Sequence, residues 1–304
     1  MVRRVLLRMK IISVEHEYGK DQKLRKEDVM ILKQWTEMQC HLPHVSELHL
    51  MFFLHSCYYN IEMAKSAIES FFTIRTHCPE FFKNRNPKST ELVKQMNVGC
   101  CVDLPKKTPE GNQILLYKFL DRDVGKFDAN EQMKLFDMGI VHCLMQNGTS
   151  EGVVVVCDFK GASFAHLLKI NVSIVSKVFP YLQQALFIRL KAIHYLNVGL
   201  LVDGLMSLVK PFLKSELIDS VHVHNSIETL IQHIPIECLP SDYGGSQPSF
   251  KELHEDHCQR LFDFADYFID EDTYIVDETK RIGKPSNPSE IFGLDGTFKQ
   301  IEID

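Results

Sequence analysis

The sequence predicts an α/β fold: an all-helical N-terminal module, then strands and helices in alternation around a mainly parallel sheet. Three observations lead there. Apolar residues recur at helical spacing between residues 21 and 86. From about residue 98 the texture changes to short apolar runs separated by longer segments of helical character. One of those runs, Val153-Val154-Val155-Val156, is β-branched throughout and too short for a buried helix, so it reads as a strand covered on both faces. Strands that alternate with helices need crossover connections, which make neighbouring strands parallel.

Taken in order, Val29, Ile31, Leu32 and Trp35 mark a first helix, and His41-Leu42-Pro43-His44 interrupts the pattern. Ser46 is a natural cap for the next helix, with Glu47 in its first turn and Leu50, Phe53 and Leu54 behind. Asn60 can cap a third, whose stripe is Met63, Ala67, Ile68, Phe71 and Phe72, and Pro79 ends it. Residues 114–120 read as a strand, 131–147 as a helix, 152–158 as a strand and 164–184 as a helix. Residues 186–196 read as a strand, 203–214 as a helix, 220–224 as a short strand, and 226–233 as a helix capped by Asn225. From about residue 249 a helix runs to 268, and an extended stretch follows from Gly283 to Pro288. The expected division is 1–90, 91–248 and 249–304.

Hydrophobic residues make up 45% of the 304 and charged residues 24%, which excludes a disordered or fibrous chain. A net charge of -6 argues against nucleic acid as a partner, since that role needs a basic face. Twenty Phe and 11 Met suit either a large core or an apolar cavity. The nine Cys form no CxxC pair and read as buried, reduced thiols. The start, MVRRVLLRMKII, is broken by Arg8 and Lys10 and lacks the continuous apolar core of a secretory signal. No uncharged run reaches the ~18 residues that span a membrane. The expectation is a cytoplasmic protein.

Motifs of catalysis are missing. There is no GxGxxG after a strand, no GxxxxGK[ST], no GxSxG and no HExxH. No enzymatic activity and no cofactor are expected. His222 and His224 would share one face of a strand, as two metal ligands or as packing histidines; with no third ligand spaced nearby, no metal is expected. Asp121 and Asp123, flanking Arg122, read as a solvated cluster. On the strand 186–196, strict alternation puts Leu186, Ile188, Leu190 and Ala192 on one face and Phe187, Arg189, Lys191 and Ile193 on the other. The charged face is either a solvated edge or an anion-binding patch.

Several runs resemble one family. Residues 192–224, AIHYLNVGLLVDGLMSLVKPFLKSELIDSVHVH, are similar to the CRAL-TRIO lipid-binding domain, with its I-H-x-x-N segment and a helix ending in K-P-F-L. LPSDYGG at 239–245 resembles that family's L-P-x-E-Y-G-G, and VVVVCDFKG at 153–161 its strand ending in D-x-x-G. Residues 52–82 resemble its N-terminal helical module. The likeness runs from about 25 to 270 and leans toward the tocopherol-transfer and retinaldehyde-binding branch, especially its insect members.

The resemblance implies a lipid cage that binds one hydrophobic small molecule, such as a retinoid, carotenoid or tocopherol, and moves it between membranes. It implies walls from Phe136, Ile140 and Cys143, from Tyr181 and Leu182, from Val153, Val155 and Cys157, and from Leu186, Ile188 and Leu190. It implies a mobile gate helix with the apolar face Leu205, Leu208, Val209 and Phe212. Arg189 and Lys191 align with two positions of a phosphoinositide-binding cluster that some members carry, with Arg and Lys exchanged. Ser220, His55 and Cys57 stand at other cluster positions, so at most half of it survives. Transient contact with anionic membrane is the implied partner, and a phosphoinositide-dependent adaptor or phospholipid exchange protein is the rival function. The family's N-x-P-x-x-F-D turn is Asn197-Val198-Gly199-Leu200-Leu201-Val202-Asp203, without the Pro and Phe, and Asp242 replaces the Glu of L-P-x-E-Y-G-G.

Overall fold

The computed structural model describes residues 11–284; residues 1–10, and the part of the expected extended stretch beyond 284, lie outside them. Five strands build one sheet: β1 (Gly99–Asp103), β2 (Asn112–Phe119), β3 (Gly152–Asp158), β4 (Leu190–Leu196) and β5 (Val221–His224), in that spatial order. β1 pairs antiparallel with β2, and every later pairing is parallel. β1, with its buried Cys100-Cys101-Val102, is a strand that the sequence pattern did not announce.

The helical module comprises α1 (Val14–Lys20), α2 (Lys26–Met38), α3 (Glu47–Ser56), α4 (Ile61–His77), α5 (Pro79–Phe82) and α6 (Thr90–Met96). The expected caps are in place: the Ser46 hydroxyl accepts from the His49 amide and the Asn60 side chain from the Met63 amide. α7 (Ala129–Asn147) crosses from β2 to β3. The segment expected as one helix over 164–184 is instead α8 (Phe164–Lys169), α9 (Val172–Pro180) and a π-helical turn (Tyr181–Ala185). Asn171 causes the first break, because its side chain caps the Ile174 amide and starts a new helix. After β4 come α10 (Val202–Val209), a 3-10 turn (Lys210–Phe212), α11 (Ser215–Ile218) and, after β5, α12 (Ile227–Leu230). The expected helix 203–214 stops at Val209 because Pro211 has no amide hydrogen to continue the ladder. The expected helix 226–233 shrinks to one turn, entered from Ser226 rather than Asn225. α13 (Phe250–Asp263) opens with a capping box between Ser249 and Glu252, and α14 (Ala265–Asp270) follows.

The valine run is covered on both faces, as its composition requires. Val153 and Val155 belong to the large core shared with α4, α7, α9 and α10. Val154 and Val156 belong to a second cluster with Ile114, Leu116, Leu196, Leu230, Phe250 and Leu253.

Strand β4 departs from the expected alternation. It begins at Leu190, not at 186, and its register against β3 jumps from Val153↔Leu190 to Val154↔Ala192. Lys191 is the extra residue of a bulge, and a one-residue insertion inverts the facing of everything after it. Leu190, Ile193 and Tyr195 therefore share the large-core face, while Ala192 packs on the second cluster. Phe187, placed by alternation beside two cations, is buried among Phe52, Phe53 and Phe71 of the helical module.

Two polar networks hold the parts in register. Asp158, 1% exposed, accepts from the Tyr243 hydroxyl (2.7 Å), the Asn197 amide group (2.8 Å) and the Lys160 backbone (2.9 Å). It thereby joins the D-x-x-G, I-H-x-x-N and LPSDYGG segments. Asp242 takes the backbone amide of Phe250 at 2.5 Å, so the acid that replaces Glu anchors the start of α13. Deeper, Arg75 and Arg85 meet Asp137 and Glu271, all essentially buried, with contacts of 2.5–3.4 Å. The Tyr181 hydroxyl also donates to Asp137, at 2.6 Å. This cluster locks α4, α7 and the 3-10 turn Glu271–Thr273 together.

Candidate functional site

Between the large-core face of the sheet and the helices above it lies a cavity. Its floor is Tyr117 and Phe119 of β2, Val155 and Cys157 of β3, and Leu190, Ile193 and Tyr195 of β4. α7 supplies one wall through Gln132, Met133, Phe136 and Ile140. Ile174, Val175, Val178 and Phe179 of α9, Leu182 of the π-helical turn, and Leu205 and Val209 of α10 form the cover. The cavity offers about 140 Å³ to the centres of water-sized molecules; one water needs roughly 10–15 Å³ on that measure. No lining residue carries an ionisable acid or base other than the Tyr phenols and the Cys157 thiol.

Phe136, Ile140, Val155, Cys157, Leu182, Ile188 and Leu190 lie on this cavity, with Leu205 and Val209. Val153 and Cys143 line a smaller void beside it, with Ile140 and Ile188 bordering both. Tyr181 borders a separate small void and Leu186 is packed in the core, so neither reaches the main cavity. Leu208 and Phe212 are half-buried and also stand off it. Two groups of the lining residues missed in the sequence have a plain cause. Ile193 and Tyr195 were hidden by the bulge. Ile174, Val175 and Val178 sit on the apolar face of α9, whose spacing could have pointed to them.

α10 is entered through a tight turn in which Asn197 and Gly199 both have positive φ (58° and 54°). The Asn197 side chain is tied down by Asp158, and Gly199 adopts this region without a steric penalty. Inside the helix, Gly204 packs against α8: a Cβ there would stand 3.4 Å from the Phe164 ring and 3.5 Å from Leu167. The outer side of this region is apolar. Phe164 and Leu168 of α8, Val172 of α9 and Leu200 of the entry turn are exposed, Leu200 completely.

The two cations of the 186–196 segment do not share an exposed face. Arg189 is buried, donates from Nε to the His55 carbonyl at 2.8 Å and stacks 4.3 Å from the Tyr58 ring centroid. Lys191 is exposed on the bulge, with its ammonium 3.0 Å from the Tyr58 hydroxyl.

His222 and His224 join His194 and His233 in a cluster of rings with centroids 4.5–6.3 Å apart. His194 Nδ1 and His224 Nε2 hydrogen-bond at 2.9 Å. Among the described residues no group of three His, Cys, Asp or Glu side chains is arranged to hold a metal ion. Burial and the neighbouring histidines push His194 down to about 3, so its own imidazole stays neutral. All nine Cys are free thiols. Among the described residues no helix is long and apolar enough to cross a membrane.

Comparison with known proteins agrees with this geometry. Residues 97–245 match the CRAL/TRIO domain family, and residues 21–92 match the Pinta-like UBA domain. Alpha-tocopherol transfer protein-like of Mus musculus is 25% identical over 78% of this chain and 69% of its own length. The Homo sapiens protein of that name is 25% identical over 71% of this chain and 63% of its own. Clavesin-1 of Xenopus laevis is 24% identical over 65% and 60%. The chain thus spans roughly two thirds of the curated relatives it matches, or somewhat less. The crystal structure of Sfh5 superposes with a TM-score of 0.50 at 14% identity, covering 75% of this chain and 90% of that one, which shows a shared Sec14-like fold. Residues 97–245 therefore form a CRAL-TRIO domain, of a family known for binding and transferring lipophilic molecules.

Proposed function

We propose that this chain sequesters one neutral lipophilic molecule in the cavity, closes it behind α10, and exchanges it with membranes. The observation that carries the reading is the lining: a chamber between sheet and helices with no carboxylate, ammonium or guanidinium facing it. A charged or strongly polar ligand would lose its hydration there without compensation. The names of the relatives favour tocopherol-like molecules, and retinoids or carotenoids share that chemistry.

α10 fits the part of gate. Leu205 and Val209 close the cavity from one side, and the outside of the same region shows Phe164, Leu168, Val172 and Leu200 to solvent. A fully buried side chain of this kind is worth roughly 1.5–3 kcal/mol. Covering the cavity and dipping into a bilayer are therefore of similar worth, as reversible loading needs. The protein would act in the cytoplasm with peripheral membrane contact, and Lys191 would meet anionic head groups. The phosphoinositide-dependent adaptor has less support, because Arg189 is buried and occupied by His55 and Tyr58. Domain roles follow: the helical module braces the cage, and the segment from 249 buttresses its far face.

The test is transfer of fluorescent tocopherol between vesicle populations. Leu200→Asp with Phe164→Asp should slow transfer at least tenfold while leaving bound tocopherol unchanged, and Leu208→Asp should act in the same direction. Transfer at the unaltered rate in all these variants would remove the gate and its outer surface from the mechanism.

A further inference from the structure

The cavity floor is not uniform. Pairing across β2, β3 and β4 sets the side chains of this sheet face in rows: Leu115 (beside the cavity), Val155 and Ile193 form one, and Tyr117, Cys157 and Tyr195 form the next. The first row is wholly apolar. The second carries three hydrogen-bonding heads side by side in a chamber whose remaining lining, apart from the Gln132 amide, is hydrocarbon. Two of the three have settled roles. The Tyr117 hydroxyl donates to Gln132 Oε1 at 3.3 Å, and Gln132 is fixed in turn by donating to the Gln95 carbonyl. Cys157 is a weak donor whose thiol burial pushes up to about 12, so it remains protonated.

Tyr195 is different. It is 6% exposed, and its hydroxyl makes no hydrogen bond to another described residue; its ring meets Phe159 edge-on with centroids 5.8 Å apart. The oxygen is not walled in by protein either, and the residue lines the cavity. The bulge at Lys191 is what brings it there, by inverting the facing of β4 beyond Leu190. Buried polar groups in folded proteins are nearly always hydrogen-bonded, and one that opens onto an apolar cavity is satisfied by what fills it. Burial raises the phenol's pKa well above its ordinary value, so it is neutral and can both donate and accept.

Resting on the carrier reading, we propose that Tyr195 recognises one hydroxyl or carbonyl oxygen on an otherwise apolar ligand. The cavity accordingly takes neutral lipid alcohols, aldehydes or ketones in preference to hydrocarbons and to fatty acids. Hydrocarbons leave the phenol unpartnered. Fatty acids bring a carboxylate into a lining that holds no cation.

The experiment measures partition of radiolabelled hexadecan-1-ol, hexadecane and hexadecanoate, and of cholestanol and cholestane, between vesicles and the full chain. Tyr195→Phe removes a single oxygen that no protein group holds, and a melting curve confirms that it folds. The expected result is a five- to tenfold fall in the alcohol-to-hydrocarbon binding ratio in Tyr195→Phe, the size of one net hydrogen bond, roughly 1–1.5 kcal/mol. Hydrocarbon binding should stay within about twofold, and wild-type protein should bind hexadecanoate least. An unchanged ratio in the variant, or hexadecanoate bound as tightly as the alcohol by wild type, overturns the inference and leaves the carrier reading intact. Failure of every probe to bind wild-type protein overturns both.

Discussion

Two adjacent valines on β3 make opposite predictions. Val155 faces the cavity and Val156 faces the packed cluster behind the sheet, where it is fully buried. Replacing either with Phe keeps a strand-compatible residue and adds a ring. At Val156 the ring has no space, and overpacking costs about 1–3 kcal/mol. A domain of 150–250 residues loses roughly 2–4 °C per kcal/mol, so Val156→Phe should melt several degrees lower. At Val155 the ring enters existing apolar space. Added methylenes gain about 0.8 kcal/mol each when buried without strain, so the lipid-free protein should hold its melting temperature or rise slightly. Ligand binding should move the other way: lost in Val155→Phe, kept in Val156→Phe. The assay pairs thermal melts of delipidated protein with binding of fluorescent tocopherol. Equal destabilisation by both substitutions, with binding intact in both, would show that the floor beneath α9 and α10 is solid core and that the cavity argument is wrong.

Other consequences follow from buried charge and from the membrane side. Burial, helped by neighbouring cations, depresses His49 to about 4 and His55 and His142 to about 3, each from an ordinary 6.5. The unfolded chain then binds protons that the folded chain refuses, so stability is full above pH 6.5 and lost as pH falls from 6.5 toward 4–3. Each such histidine contributes a slope of about 1.4 kcal/mol per pH unit in that window; a urea midpoint unchanged between about pH 7.5 and 5 would contradict it. Glu271→Gln removes one of the two carboxylates facing Arg75 and Arg85 and should cost about 3–5 kcal/mol in urea unfolding; a loss below 1 kcal/mol would mean the cluster is not the lock it resembles. Lys191→Ala should weaken binding to anionic vesicles by about 1 kcal/mol at low salt and by less at high salt, and an unaltered salt dependence would take Lys191 off the membrane face.

Much of this architecture is legible in the chain itself, and the failures have physical causes. Ser46 and Asn60 announce their helices because a cap is a local event. The valine run announces β3 because β-branched residues without polar alternation need cover on both faces. LPSDYGG, I-H-x-x-N and D-x-x-G are recognisable as motifs, but only the structure shows that Asp158 joins them. β4 misleads because alternation assumes an unbroken ladder, and Lys191 breaks it; no composition signal marks that bulge. The Arg75–Arg85–Asp137–Glu271 cluster is invisible in sequence, since its members lie up to 196 positions apart, from 75 to 271, and share no pattern. Phe is now easier to read. Phe52, Phe53, Phe71 and Phe187 build the seam between module and cage, while Phe119, Phe127, Phe136, Phe159 and Phe179 surround empty space.

The most direct test of the carrier account is organic extraction of the purified full chain, followed by mass spectrometry against a matched blank. The account predicts one neutral lipophilic species approaching one molecule per chain, absent from Val155→Phe purified in the same way. An extract identical to the blank, with no uptake when tocopherol, retinol or cholestanol is offered in vesicles, would contradict it.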